Sequence, residues 1–501
     1  MQLDEETKSI NDVEDPTLEE NTKPKEDAED PQTDPDDPRN EYSKTIEEAE
    51  DNDGENRNVK EEDKASISST AITIIKAIIG CGILNHPFIF RTLGAIPYFM
   101  VLILTVFIAC MSIVYLMKCK DITQRYGYSM YAKLSFGSFG TFLMKSAIVM
   151  LTFGCCCIYL RIFGDVSQSL VTMFIEKSDK FYFQNNFYVL VVFFVLMPLM
   201  FKDDIAALKK FSFIGVLSVF IFLGSMVIVC IYKFINNEIE PFQSDMLVPD
   251  GTKLQIFATA TALLDSFTFQ MNTFPIYLPL KPRSSKNMIK ASSIAIISTG
   301  IIYAITGLLG FTMYRRRLEN VVLVYFKEDV QKYKDTNIFI TGVLVICMIS
   351  FFISALLSMP IIFFALKKNL ITLIQFVQKK LRSTKEKEKE EKTMAASLVN
   401  TQVIMGSVGS GKKFFITLIA YCTVCFTTLC VDKIIVINNI VGATVTNFIT
   451  MIAPTMFFMK LGKASCCSCD KIVAQFIFTI GFGVLITFLT IQFSNIFGVQ
   501  L

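Results

Sequence analysis

Long apolar runs recur along the chain from residue 67 to its C-terminal end, and short polar segments separate them. An α-helix needs about 20 apolar residues to cross the hydrocarbon core of a bilayer, and most of these runs reach that length. The runs show neither the alternation of a half-buried strand nor the single apolar face of a soluble helix. The pattern predicts an all-α integral membrane protein with about eleven transmembrane helices. The predicted spans are 67–91, 95–117, 142–164, 187–201, 211–234, 254–280, 289–313, 337–366, 414–431, 435–459 and 472–497.

The first run, Ser68–Leu93, differs from the others. Gly80 and Gly82 lie at its middle, Pro87 follows them, and Lys76 interrupts the aliphatic residues. Glycine favours an unwound segment whose backbone amides and carbonyls are free to bind a ligand. A broken helix beside an ionisable group at bilayer depth indicates the central site of a transporter. An unbroken helix with small residues for close packing is the alternative.

Composition supports the membrane assignment, since 52% of the 501 residues are hydrophobic and the net charge is only +2. That small value conceals an asymmetry, because residues 1–65 contain 25 acidic and 8 basic residues and few large apolar side chains. Such a composition predicts a disordered N-terminal tail, ahead of a transmembrane domain at 66–501. The tail is equally consistent with a regulatory segment and with a solvated spacer.

The loop charges predict the orientation of the chain in the membrane. Lys and Arg concentrate after the second span, after the sixth span and in a charged linker at 367–413. Because basic loops favour the cytosolic side, we expect these segments and the N-terminus to be cytosolic. The sequence does not distinguish a plasma membrane from a vacuolar or lysosomal one.

Catalytic chemistry finds little support in the sequence. The one histidine, His86, lies within a span, and no Ser/His/Asp or Cys/His arrangement accompanies it. We therefore expect no enzymatic activity, no cofactor, no bound metal and no nucleic-acid partner, but a lipid bilayer and a small-molecule substrate.

Several motifs, in order along the chain, resemble a known family. They are AIIGCGIL in the first span, VLMPLMFKDDIAALKKFSFIG at 195–215, FPIYLPLKPRSSKNM at 274–288, ISALLSMPIIFF at 353–364 and IVGATVTNFITMIAPTMFFMKL at 440–461. Together they resemble the amino acid/auxin permease family, and particularly the solute carriers of the system A and system N neutral amino acid type. The resemblance runs from Ser68 to the C-terminus and excludes the acidic tail.

This resemblance implies a broken-helix, five-plus-five inverted-repeat fold of the LeuT type with one additional span. Such folds bind substrate between unwound parts of spans one and six. The amides at Gly80–Ile83 suit a substrate carboxylate, and freed carbonyls suit its ammonium group. The expected substrate-binding residues are Ala77, Gly80, Cys81, Gly82, Ile83, Asp265, Phe267 and Thr268.

The chain departs from the family pattern at two charged residues. Lys76 replaces an Asn that is associated with the ion in sodium-coupled members, while Ser354 and Ser358 retain hydroxyls near the position of a family Thr. These three residues are the expected ion-coupling residues. Asp265 is unexpected in span six, and a pair with Lys76 would neutralise two costly intramembrane charges.

The sequence therefore predicts a secondary active transporter of amino acids, with neutral substrates favoured and with proton coupling or exchange favoured over sodium symport. A carrier of the cationic amino acids arginine and lysine, and an amino acid sensor of the same fold that does not transport, remain the alternatives.

Overall fold

A computed structural model describes the chain over residues 65–174, 184–201, 212–241, 247–318, 322–381, 409–431, 440–462 and 468–497. Over these residues the protein is helical, and the β pairing found there is an isolated bridge between Ala65 and Leu280. The expected all-α membrane class is confirmed. The expected disordered tail lies, except for Ala65, outside the described residues.

The helices are numbered here in chain order. They are α1 (Ile67–Ile78), α2 (His86–Leu93), α3 (Ala95–Thr123), α4 (Tyr128–Phe174), α5 (Asn185–Met200), α6 (Ser212–Ile235), α7 (Lys253–Asp265), α8 (Thr273–Tyr277), α9 (Ser285–Tyr314), α10 (Leu323–Tyr333), α11 (Ile338–Leu381), α12 (Ser410–Cys430), α13 (Ala453–Leu461) and α14 (Ser468–Phe497).

Within the described residues, eight continuous stretches are long and apolar enough to cross a membrane. They lie in α3, α4, α6, α9, α11, α12, α14 and the segment that ends with α13. The bent pair α1–α2 adds a ninth span. The short apolar helix α5 and the broken pair α7–α8 fall where the fourth and sixth spans were predicted. Each predicted span therefore has a helical counterpart.

Span one is broken between α1 and α2. Helix α1 ends at Ile78, the residues Cys81–Asn85 form a 3₁₀ turn, and the chain bends by 56° before α2. Pro87 lies in the first turn of α2, where a backbone N–H has no partner within the helix, so proline costs no hydrogen bond there. The predicted break in the first span is thus confirmed.

Span six is broken in the same manner but without glycine. Helix α7 ends at Asp265, the chain continues through Ser266–Phe269, and a 3₁₀ turn at Gln270–Asn272 leads into the short helix α8. The breaks therefore fall in the first span of each five-span half, as a five-plus-five repeat requires.

Within the described residues of span ten, two π-helical segments precede α13, which the sequence did not predict. The segments Gly442–Thr446 and Phe448–Ile452 are π-helical, and α13 completes the span. Such wide helices are rare and frequently occur at functional sites. This span packs against α7, so the π-helix adjoins the break in span six.

Helix α9 packs against α1, α2 and α3, whereas α11 packs against α4 and α6. The break in span one therefore lies within the helix bundle and is not exposed at its lipid-facing surface. Within the predicted linker at 367–413, residues up to Leu381 belong to α11 and residues from Ser410 belong to α12. Residues 382–408 lie outside the described residues.

Candidate functional site

The two helix breaks lie side by side. The hydroxyl of Tyr303 on α9 is 3.0 Å from the carbonyl oxygen of Ile78 and 3.0 Å from that of Ser266. Gly82 packs directly on Ser266, because a Cβ built on this glycine would lie 3.0 Å from the serine Oγ. The structure thus brings the unwound residues of spans one and six together, as the sequence predicted.

Both glycines at the first break make room for neighbouring side chains. A Cβ at Gly80 would lie 2.6 Å from the hydroxyl oxygen of Tyr159, which is closer than real Cβ contacts. Sequence reasoning missed Tyr159 because it follows three cysteines in an apolar run that resembles an ordinary span.

Among the other expected substrate residues, Ile83 and Phe267 are fully buried, and the Phe267 ring meets the Tyr303 ring edge-on at 5.2 Å. Ala77 is half-buried on the last turn of α1. The Thr268 hydroxyl is 3.5 Å from that of Thr450 in span ten. Cys81 belongs to the 3₁₀ turn of the first break, and its side chain lies outside the described part of the structure.

Lys76 points away from the second break. Its ammonium nitrogen is buried and has no hydrogen-bond partner among the described residues. It lies against Gly215 of α6, since a Cβ built there would be 3.1 Å from Nζ, and it lines a small cavity together with Ser354 of α11. Ser354 donates a hydrogen bond to the Gly215 carbonyl over 3.3 Å. Ser358 donates to the Ser354 carbonyl, one turn earlier on the same helix, over 2.9 Å.

The expected pair between Lys76 and Asp265 is wrong. The Asp265 carboxylate accepts a hydrogen bond of 2.5 Å from the hydroxyl of Thr446 in the π-helix of span ten. Gly442, also in that π-helix, packs on the Asp265 side chain, since a Cβ there would lie 3.1 Å from the Asp265 Cβ. The two charges therefore separate because span ten offers Asp265 a hydroxyl donor while Lys76 extends towards α6 and α11.

Behind the breaks lies a buried aromatic network that sequence reasoning did not identify. Tyr98 donates its hydroxyl proton to the Tyr303 carbonyl over 3.1 Å, so the contact of 2.8 Å between its oxygen and His86 Nδ1 requires the imidazole to donate. This arrangement favours the His86 tautomer that is protonated on Nδ1. Its ring stacks on that of Tyr303, with centroids 4.0 Å apart. The signal in the sequence was the single histidine placed just after a helix break.

A second polar cluster joins α10 to the ends of α6 and α9. The buried pair Lys233–Asp329 is 2.7 Å long, and Tyr314 donates to the same carboxylate over 2.5 Å. Nearby, Lys332 and Tyr333 both donate to Glu238. Burial by itself raises the pKa of Glu238, but these two hydrogen bonds and the positive charges of Lys332 and Lys233 together hold the pKa below its ordinary value.

Taken together, the broken spans and their facing carbonyls define a helical membrane protein of the broken-helix transporter class. Comparison with known proteins identifies the family. Residues 63–496 match the family described as "Transmembrane amino acid transporter protein", and the chain belongs to that family.

Individual relatives agree with this assignment. Amino acid transporter AVT6C of Arabidopsis thaliana is 26% identical over 62% of this chain and 72% of its own length. Sodium-coupled neutral amino acid transporter 7 of Mus musculus is 23% identical over 51% of this chain and 56% of its own. Solute carrier family 38 member 10 of Homo sapiens is 21% identical over 82% of this chain and 33% of its own length. The predicted family is confirmed.

Proposed function

We propose that the chain is a secondary active transporter that carries neutral amino acids by alternating access, with proton coupling or exchange in place of sodium symport. The observation that carries this proposal is the juxtaposition of two unwound helices in a chain of the amino acid transporter family. The first break offers backbone amides between Gly80 and Ile83 at the start of a half-helix, where a carboxylate is favoured. The C-terminal ends of α1 and α7 precede the two breaks and carry partial negative charge, which favours a cationic ammonium group nearby.

Sodium independence rests on Lys76. A positive charge whose nitrogen is buried, beside Gly215 and Ser354, repels a second cation from the same space. Because this ammonium has no carboxylate partner among the described residues, losing its proton would relieve the cost of burying it. Lys76 is therefore our choice for the group that exchanges the coupled proton, with Ser354 and Ser358 beside it. The name of the mouse relative includes sodium coupling, so this chain would differ from that protein.

A carrier of cationic amino acids is the second candidate, and Asp265 is the observation that favours it. Its partner in the described residues is the neutral hydroxyl of Thr446, so its negative charge is left uncompensated. An intramembrane carboxylate of this kind is commonly retained for a proton or a cationic substrate. We favour neutral substrates because neutral transport appears in the name of the mouse relative and because the first break suits the zwitterionic part of any amino acid.

The test is uptake by the purified full-length protein in vesicles, with a panel of labelled amino acids and with imposed pH or sodium gradients. We expect neutral amino acids to accumulate in the vesicles. An inward proton gradient, or amino acid already inside the vesicles, should increase this uptake, and replacing sodium with choline should leave it unchanged. Binding without accumulation would instead identify a sensor. The Lys76→Asn variant should lose the response to pH, whereas Lys290→Asn, which changes an exposed lysine, should keep it. A saturable sodium requirement in the unmodified protein would contradict the proposal.

We propose a cytosolic N-terminus and either a plasma or a vacuolar/lysosomal membrane, which labelling of intact cells and organelles would distinguish.

A further inference from the structure

The hydroxyl of Tyr303 occupies an unusual position between two backbone carbonyls. It is 3.0 Å from the oxygen of Ile78, the last residue of α1, and 3.0 Å from the oxygen of Ser266, which follows the last residue of α7. A phenol has one proton, so the two carbonyls share a single donor. Both oxygens carry the partial negative charge of a helix C-terminus, and without a donor between them they would repel each other.

Converging carbonyls at the ends of broken half-helices form the arrangement that binds a coupling cation in other transporters of this architecture. In this chain a side-chain proton fills the space between them. The Tyr303 ring is held firmly, because His86 stacks on it at 4.0 Å, Phe267 meets it edge-on, and Tyr98 donates to the Tyr303 carbonyl. Few other orientations are open to a fully buried tyrosine held on three sides, so its hydroxyl is fixed at the breaks.

We propose that Tyr303 is a positioning residue whose hydroxyl, in place of a bound cation, holds the two helix breaks in register. This inference rests on the proposed function, since it assigns the breaks as the substrate site. It concerns a different location from Lys76, which lies against α6 and α11. The Tyr303 hydroxyl and the Lys76 ammonium are thus two buried donors at separate locations.

The decisive variant is Tyr303→Phe, which removes the hydroxyl and keeps the ring. Tyr421→Phe is the matched control, because Tyr421 is also fully buried and donates to a backbone carbonyl, that of Phe193, at 3.0 Å, away from both breaks. Both variants lose one buried hydrogen bond. A loss of packing or of hydrogen bonding alone would affect the two proteins alike, whereas a response to cations is expected only from Tyr303→Phe.

In vesicles containing choline, we expect Tyr303→Phe to raise the KM for amino acid uptake by about tenfold, as loss of one hydrogen bond at the site allows. Sodium should lower that KM again, because the vacated space between the carbonyls then accepts a cation. Thermal unfolding of the purified full-length protein provides a second measurement. Sodium should raise the melting temperature of Tyr303→Phe and leave the unmodified protein and Tyr421→Phe unchanged.

An unchanged KM in Tyr303→Phe, or a raised KM and a lowered melting temperature that do not respond to sodium, would overturn the inference. Failure of the proposed function gives a different result. If the unmodified protein accumulates no amino acid, that function is wrong, but the melting comparison with and without sodium still decides whether Tyr303 replaces a cation.

Discussion

The ammonium nitrogen of Lys76 lies so close to Gly215 that a side chain at residue 215 would displace it. A Cβ there would be 2.9 Å from the lysine Cε and 3.1 Å from Nζ. Lys76 is on α1 and Gly215 is on α6, so this contact joins the first half of the broken span to span five. It determines where the unpaired charge is held.

We expect Gly215→Ala to lower the initial rate of amino acid uptake severalfold while the melting temperature changes little, because the added Cβ displaces the flexible end of Lys76 and moves its ammonium group. Gly224→Ala is the matched control on the same helix, since an added Cβ there meets nothing within 4 Å. Equal rates for the two variants would show that the location of Lys76 is unimportant for transport.

Gly82→Ala should lower uptake while the protein still inserts into the membrane, because the new Cβ would press on Ser266 at 3.0 Å from its Oγ and 3.2 Å from its Cβ. The double variant Gly82→Ala/Ser266→Gly removes the opposing atoms and should recover part of the activity. The larger Gly82→Val substitution should not be rescued in this way. Normal uptake by a well-expressed Gly82→Val protein would rule out the first break as the substrate site.

Excess arginine should not compete with labelled alanine or glutamine uptake, because we assign neutral substrates. The comparison variant is Asp265→Asn, whose amide oxygen can still accept the hydrogen bond from Thr446. Unlabelled alanine provides the positive control for competition. The cationic alternative would be correct if arginine competed best in the unmodified protein and lost that effect in Asp265→Asn.

Asp329→Asn should destabilise the protein by about 3 kcal/mol, since it leaves the buried ammonium of Lys233 without its counter-charge. The melting temperature in detergent should therefore fall by several degrees. Glu328→Gln breaks a solvent-exposed pair with Arg317 and should change it little. Equal melting temperatures for the two variants would mean that the buried pair contributes no more than the exposed one.

Acidification should loosen the attachment of α10 through Glu238. Its pKa is lowered in the folded protein, so its stabilising contribution is complete above its unfolded pKa of about 4.3 and is lost as the pH falls through the lower folded value. Hydrogen exchange of Leu323–Tyr333, corrected for its intrinsic pH dependence, should be steady near neutral pH and rise below about pH 4. The Glu238→Gln variant should show a raised exchange rate in this helix already at neutral pH, whereas Glu328→Gln should not.

Much of the fold follows from the sequence, because bilayer thickness imposes a length on apolar runs that loops and soluble helices do not share. The break in span one was also readable, from Gly80, Gly82 and Pro87. The break at Ser266–Phe269 carries no glycine or proline of its own and was expected only from the family resemblance. The π-helix of span ten was not predictable, since its hydrophobic pattern differs little from that of an α-helix.

Side-chain partners were the part that sequence could not supply. Lys76 and Asp265 looked complementary because each is a lone charge in an apolar span, yet their partners depend on which helices approach each break. Thr446 reaches Asp265, and Gly215 gives room to Lys76. Tyr159 and Tyr303 were missed because one tyrosine in an apolar run is indistinguishable from a packing residue until its hydroxyl can be located.

The stacking of His86 on Tyr303 makes the chain's single histidine a spectroscopic reporter. Isotope labelling of histidine alone gives one imidazole signal, with no other residue of that type to assign. The ring current of the stacked tyrosine shifts that signal, so any movement of Tyr303 relative to the helix breaks changes its frequency. In the proposed transport cycle, conformations that place Tyr303 differently relative to the breaks would give this one imidazole different frequencies in the unmodified protein.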